Sequence, residues 1–314
     1  MNCEQQSFNL DAFGRDDSFA RIHMKGNVRD RAQVNVRDRE QRNVRDRVLD
    51  SAYISAKKNE HINAHVPLIT FVSASGGVGK STLALLIAYM CAQSGLNTVL
   101  MEGDLQFGDF NFWLGLDDSL PNLADENPKP VHVAQNLDVY KAPTFPELAE
   151  DVSDSIVDMR EKLCAGYDIA FVDTGGFWSG FTADMLLSSD LFCMTIDNRS
   201  SSVAGAIKAS ELCSRLGIPL MRMAVLYNRY FSRAVVNERE VKKALDVQEV
   251  YCVPDGRSTI EDMVGSGNIE ELFLSDNAMV NAVRNLVKPL VSRVGIELCG
   301  IGFVAKKTGR RWHG

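Results

Sequence analysis

The sequence predicts one doubly wound α/β domain, a mostly parallel sheet with helices on both faces. Three observations lead there. Short apolar runs alternate with amphipathic stretches, and the runs are apolar at successive positions, as strands covered on both sides require. A glycine-rich turn, SASGGVGKS (73–81), joins the first run to the first helical stretch. Two later runs lead straight to aspartates, Asp104 and Asp173, at the ends where such sheets bind ligands.

The elements follow in order. PLITFVS (67–73) is the first strand, and STLALLIAYMCAQSG (81–95) continues past the loop as a helix. NTVLM (97–101), LDVYKAP (137–143), DIAFVD (168–173), LFCMTI (191–196), MRMAVLYN (221–228) and EVYCV (249–253) give six more strands. Between them, 147–166 and 202–217 are amphipathic and end at the glycine expected just past a helix C-terminus. Residues 277–295 form a last helix. The α/β domain is assigned to 66–296.

Composition limits the function classes. Of the 314 residues, 45% are hydrophobic and 24% charged, which excludes a disordered or fibrous chain. The net charge of −7 argues against a body built to coat nucleic acid. Seven cysteines without a CxxC pair or metal-like spacing read as buried thiols of a reducing compartment. No secretory signal is legible at the N-terminus, and the longest apolar run, 83–92, is about half of the roughly 20 residues of a membrane span. The chain is expected to be soluble and cytoplasmic.

Residues 1–65 differ from the rest. An NVRDR repeat starts at Asn27, Asn35 and Asn43; a period of eight makes no straight apolar stripe on a helix. The segment reads as a charged linker. It holds 12 Lys/Arg and 10 Asp/Glu of the chain's 34 and 41, so residues 66–314 carry 22 against 31 and are the more acidic part. The tail, 297–314, combines Lys306, Lys307, Arg310 and Arg311 with Trp312; it reads as a solvated basic tail, with peripheral contact to an anionic membrane as the alternative.

The loop carries the clearest chemistry. Gly76, Gly77 and Gly79 let backbone amides wrap phosphate oxygens, and the following helix adds its positive end. Lys80 is placed to reach β- and γ-phosphates, and Ser81 to ligate Mg²⁺. Ala74 stands where GxxxxGK[ST] has its first glycine. Asp104 is positioned to orient water or hold Mg²⁺, and Asp173, followed by Thr-Gly-Gly, sits where a Walker B carboxylate belongs. Asn228 ends a late strand and is a candidate base contact; the guanine-reading NKxD is absent, Arg229 standing where its lysine would be, which favours adenine.

These residues resemble the MinD/ParA class of deviant Walker A ATPases, and GDLQFGDFNFWLGL (103–116) is most similar to its CpaE/TadZ branch. The likeness covers about residues 66 to 293. It implies ATP or ADP with Mg²⁺, a nucleotide-bridged homodimer, and a role in placing Flp/Tad-type pilus and secretion machinery at a cell pole, peripheral to the membrane. It implies that Gly76, Gly77, Val78, Gly79, Lys80, Ser81 and Thr82 hold the phosphates, with Asp104, Asp173 and Asn228 in the roles given above. Three departures stand out: Ser75 replaces the signature lysine, Glu102 replaces the first Asp of DxD, and the receiver-like domain that often precedes this ATPase is missing. Ser75 brings no charge to a neighbouring subunit's phosphates, so slow or lost hydrolysis is expected. A ParA-type DNA-partitioning ATPase is the alternative; the acidic body weighs against nucleic acid as a partner.

Overall fold

The computed structural model describes residues 65–256, 260, 262 and 269–298. The repeat and all but a residue or two of the N- and C-terminal segments lie outside them.

Eight strands form one sheet: β1 (Leu68–Ser73), β2 (Thr98–Gly103), β3 (Val131–Ala134), β4 (Leu137–Tyr140), β5 (Ile169–Thr174), β6 (Leu191–Ile196), β7 (Met223–Tyr230) and β8 (Val250–Pro254). The order is β3-β4-β2-β5-β1-β6-β7-β8. All pairings are parallel except β3 with β4. The doubly wound architecture read from the sequence is therefore present. The chain leaves β1 for β2 and β4 on one side, returns to β5, and then builds β6, β7 and β8 on the other. Loops after β1, β5 and β6 thus meet at one edge of the sheet, where open α/β sheets hold ligands.

The described helices are α1 (Lys80–Gln93), the single turn α2 (Phe110–Trp113), α3 (Ala149–Cys164), α4 (Gly180–Ser188), α5 (Ser200–Arg215), α6 (Glu238–Leu245), α7 (Ile269–Leu274) and α8 (Ala278–Ser292). Strand side chains alternate between the two faces. Ile69, Phe71, Leu100, Phe171 and Leu226 pack under α1 and α8. Leu68, Val99 and Val172 face α3 and α4, while Val72, Met194 and Tyr227 face α5 and α6. Twelve of the 14 residues of α1 are buried, because α1 is sandwiched between the sheet and α8. Continuous apolar runs and a helix with no polar stripe are what such double coverage demands.

Seven strands were expected, and the eighth, β3, was not legible. Its VHVA is half-exposed, only four residues long, and pairs antiparallel on the sheet's edge.

Candidate nucleotide site

The turn after β1 leads into α1 through two glycines in left-handed backbone, Gly77 (φ 68°) and Gly79 (φ 84°). At Gly79 a Cβ would overlap Nδ2 of Asn228, so both the conformation and the space require glycine. Asn228, 3% exposed, donates through Nδ2 to the carbonyl of Val78 at 2.8 Å. A carbonyl only accepts, so the amide nitrogen must face it. The Oδ1 atom is left as a buried acceptor with no protein partner. It borders a cleft lined also by Gly79, Thr82, Asp255 and Met279. An orphaned buried acceptor is costly unless something supplies a donor.

Lys80, at the first position of α1, turns its ammonium to Asp173, at 2.5 Å from Oδ1, and donates to Ser81 Oγ at 3.2 Å. Lys80 and Asp173 are buried. Asp173 is the penultimate residue of β5, adjacent to β1 in the sheet, which is why a carboxylate 93 positions away meets the loop. Burial pushes the Asp173 carboxyl above the usual range; Lys80 and the Ser81 hydroxyl pull it down, and burial prevails.

Asp104 lies just past β2 and accepts the amide of Phe107 at 3.2 Å. It faces the turn at Gly175, where a Cβ would come within 3.3 Å of its carboxylate. The geometry thus brings Lys80, Ser81, Asp173 and Asp104 to one edge, with Asn228 on the other flank of the loop. Beside Asp104 opens a groove of about 590 Å³ lined by Phe107, Glu150, Asp154, Phe177 and Asp184.

Several participants were not identified by the sequence reading. Glu102 appears there only as a departure; in the structure it is 2% exposed and accepts the amides of Phe110 (2.7 Å) and Ala142 (2.9 Å). It ties the segment carrying Asp104 to the end of β4. The two amides favour the carboxylate, yet burial dominates and holds its pKa at about 7. Gly108 passes so close to this carboxyl that a Cβ there would collide with it. Trp178 donates to Ser73 O at 2.8 Å, and Arg199 and Arg229 reach Gly76 O (3.0 Å) and Gly77 O (2.9 Å). The DNR triplet directly after the β6 run was the one signal for Arg199.

A family model, the CobQ/CobB/MinD/ParA nucleotide binding domain, matches residues 69–253, more than half of the chain. The chain belongs to the CobQ/CobB/MinD/ParA family. Among curated members it is 23% identical to a virulence plasmid ParA family protein of Chlamydia psittaci, over 69% of this chain and 88% of that protein. It is 25% identical to the septum site-determining protein MinD of Helicobacter pylori, over 60% of this chain and 75% of that one. Among solved structures, MinD of Pyrococcus horikoshii complexed with Mg-ADP is similar with a TM-score of 0.64 at 17% identity, covering 74% of this chain and 98% of that one. A ParA family ATPase of Chlorobium tepidum gives 0.63 at 20%, covering 71% and 99%. These likenesses agree with the fold of this CobQ/CobB/MinD/ParA member. No helix among its described residues is long and apolar enough to cross a membrane.

Proposed function

We propose that this chain binds ATP and ADP with Mg²⁺, turns ATP over slowly, and serves as a homodimeric positioning scaffold for pilus or secretion machinery at a cell pole. The observation that carries the nucleotide reading is the loop itself. Left-handed glycines, a buried Lys80–Asp173 pair and an orphaned acceptor on Asn228 converge within one sheet edge.

The residues fit such a ligand. Amides of the 76–82 loop and Lys80 would hold phosphate oxygens, and the Asn228 Oδ1 would accept from a base amino group such as that of adenine. Ser81 and Asp173 would hold Mg²⁺, Asp173 through water. Charge neutralisation at the β- and γ-phosphates is what a bound Mg²⁺ supplies. Lys80 exchanges its contact with Asp173 for one with phosphate, and Asp104 orients water from the facing loop. Ser75 adds no cation, which supports slow turnover.

The similarity of 103–116 to the CpaE/TadZ branch supports the pilus reading, and the Phe107 of that stretch is 73% exposed, available to a partner. The family's plasmid relative favours a second reading, a DNA-partitioning ATPase. Calorimetric titration of the full chain with Mg-ATP and Mg-ADP tests the first claim, with Lys80→Ala as the control. Heat absent from wild type would end it. A gel shift with nonspecific duplex separates the two roles: tight, ATP-dependent, salt-sensitive binding supports partitioning and overturns the scaffold reading.

A further inference from the structure

Three consecutive carbonyls of the loop each receive one side-chain donor. Arg199 Nη2 reaches Gly76 O at 3.0 Å, Arg229 Nη1 reaches Gly77 O at 2.9 Å, and Asn228 Nδ2 reaches Val78 O at 2.8 Å. The described peptide bonds are all trans, and a trans unit points its C=O and N–H in opposite directions. Fixing the carbonyls of 76, 77 and 78 on the donors' side therefore turns the amides of Gly77, Val78 and Gly79 to the other side. A row of amides facing one way is the concavity that wraps an anion.

The two arginines are built into this arrangement. They come from different strands' ends, Arg199 after β6 and Arg229 within β7, and converge on one buried carboxylate, Asp197, 1% exposed. Its Oδ2 lies 2.7 Å from Arg199 Nε and 3.9 Å from Arg229 Nη1. Asp197 is itself fixed, since Oδ1 accepts the Arg199 amide (3.2 Å) and its own amide donates to Ser202 Oγ (3.1 Å). Arg229 holds a left-handed backbone, φ 52°, unusual for a residue with a long side chain. Such a conformation persists only where the surroundings impose it.

We propose that Arg199 and Arg229, joined through Asp197, are positioning residues that hold the loop with its amides turned toward the nucleotide's phosphates. This rests on the nucleotide-binding reading above. The clamp acts from outside the loop, next to Ser75, which offers no cation of its own. A guanidinium suits the task because its Nε and Nη2 donate at once to two separate acceptors, Asp197 and Gly76 O.

Titration with Mg-ATP and Mg-ADP, together with amide NOE measurements on nucleotide-free, [¹⁵N]glycine-labelled full chain, tests the clamp. Arg199→Ala, Arg229→Ala and Asp197→Asn are each expected to weaken both nucleotides by about tenfold or more. The Gly77 and Gly79 amides are expected to be rigid in wild type and to become mobile in the same variants. Arg199→Lys keeps the charge but replaces two donors with one nitrogen, and is expected to stay within about threefold of the alanine variant. Unchanged affinities and unchanged NOEs overturn the proposal, and so does full rescue by lysine, which would make charge alone the cause. If wild type binds neither nucleotide, the functional reading fails, while the NOE comparison still decides the clamp.

Discussion

The Lys80 ammonium lies 2.5 Å from Oδ1 of Asp173, with the two side chains 8% and 2% exposed. Either charge alone would be stranded in the interior. Lys80→Ala is therefore expected to cost stability as well as nucleotide, about 3–5 kcal/mol in urea unfolding. The double variant Lys80→Met/Asp173→Asn should recover most of the loss. Single variants within about 1 kcal/mol of wild type would show that the pair is not coupled as the geometry requires.

Glu102 gives the chain a titration near neutrality. Its folded pKa, about 7, lies above the ordinary 4.5, so its contribution is fully present below pH 4.5 and lost as the pH rises through 7. The stability of wild type relative to Glu102→Gln should fall by about 3 kcal/mol over that window. Denaturant melts at several pH values check this; a pH-independent difference would contradict it.

Gly79→Ala forces a side chain into left-handed backbone and into Nδ2 of Asn228. A loss of about 2 kcal/mol in stability is expected, with nucleotide affinity down about tenfold or more. Thermal melts and titration of the same preparation read both.

Asn228 offers its Oδ1 to the cleft as an acceptor without a protein partner, while its nitrogen donates to the Val78 carbonyl. ATP should bind about tenfold more tightly than GTP, whose base presents a carbonyl where adenine has its amino group. Asn228→Asp cannot donate to Val78 and should weaken both nucleotides. Equal affinity of wild type for the two would remove Asn228 from base recognition.

Residue 75 is the last of these tests. Ser75→Lys restores a cation at the mouth of the loop and should raise steady-state ATP turnover at least about tenfold, a fraction of the roughly 10³–10⁵ that cationic fingers supply elsewhere. Phosphate release at saturating ATP measures it. No gain would mean that slow turnover has another origin.

What the sequence disclosed depended on how local each feature is. The loop, Lys80 and the strand ending in Asp173 are written in contiguous residues, so pattern and spacing located them. The arginine clamp is not local. Arg199 and Arg229 touch Gly76 and Gly77 only because β6 and β7 follow β1 in the sheet order, and no run of residues encodes that order. Glu102 was read only as a departure from DxD, a Glu standing where its first Asp is usual. Its partners, Phe110 and Ala142, come from segments whose meeting only the fold decides. The edge strand β3 escaped for a simpler reason: VHVA has neither the length nor the burial that makes a strand legible.

The near-complete enclosure of α1 has a mechanical consequence. A helix gripped on one side by the sheet and on the other by α8 has no room to tilt or slide, since close-packed interiors transmit strain rather than absorb it. The loop at its head is thus an anvil, and a stroke tied to the proposed ligand exchange would fall instead on the exposed rim, where Phe107 and Phe177 stand 73% and 82% exposed.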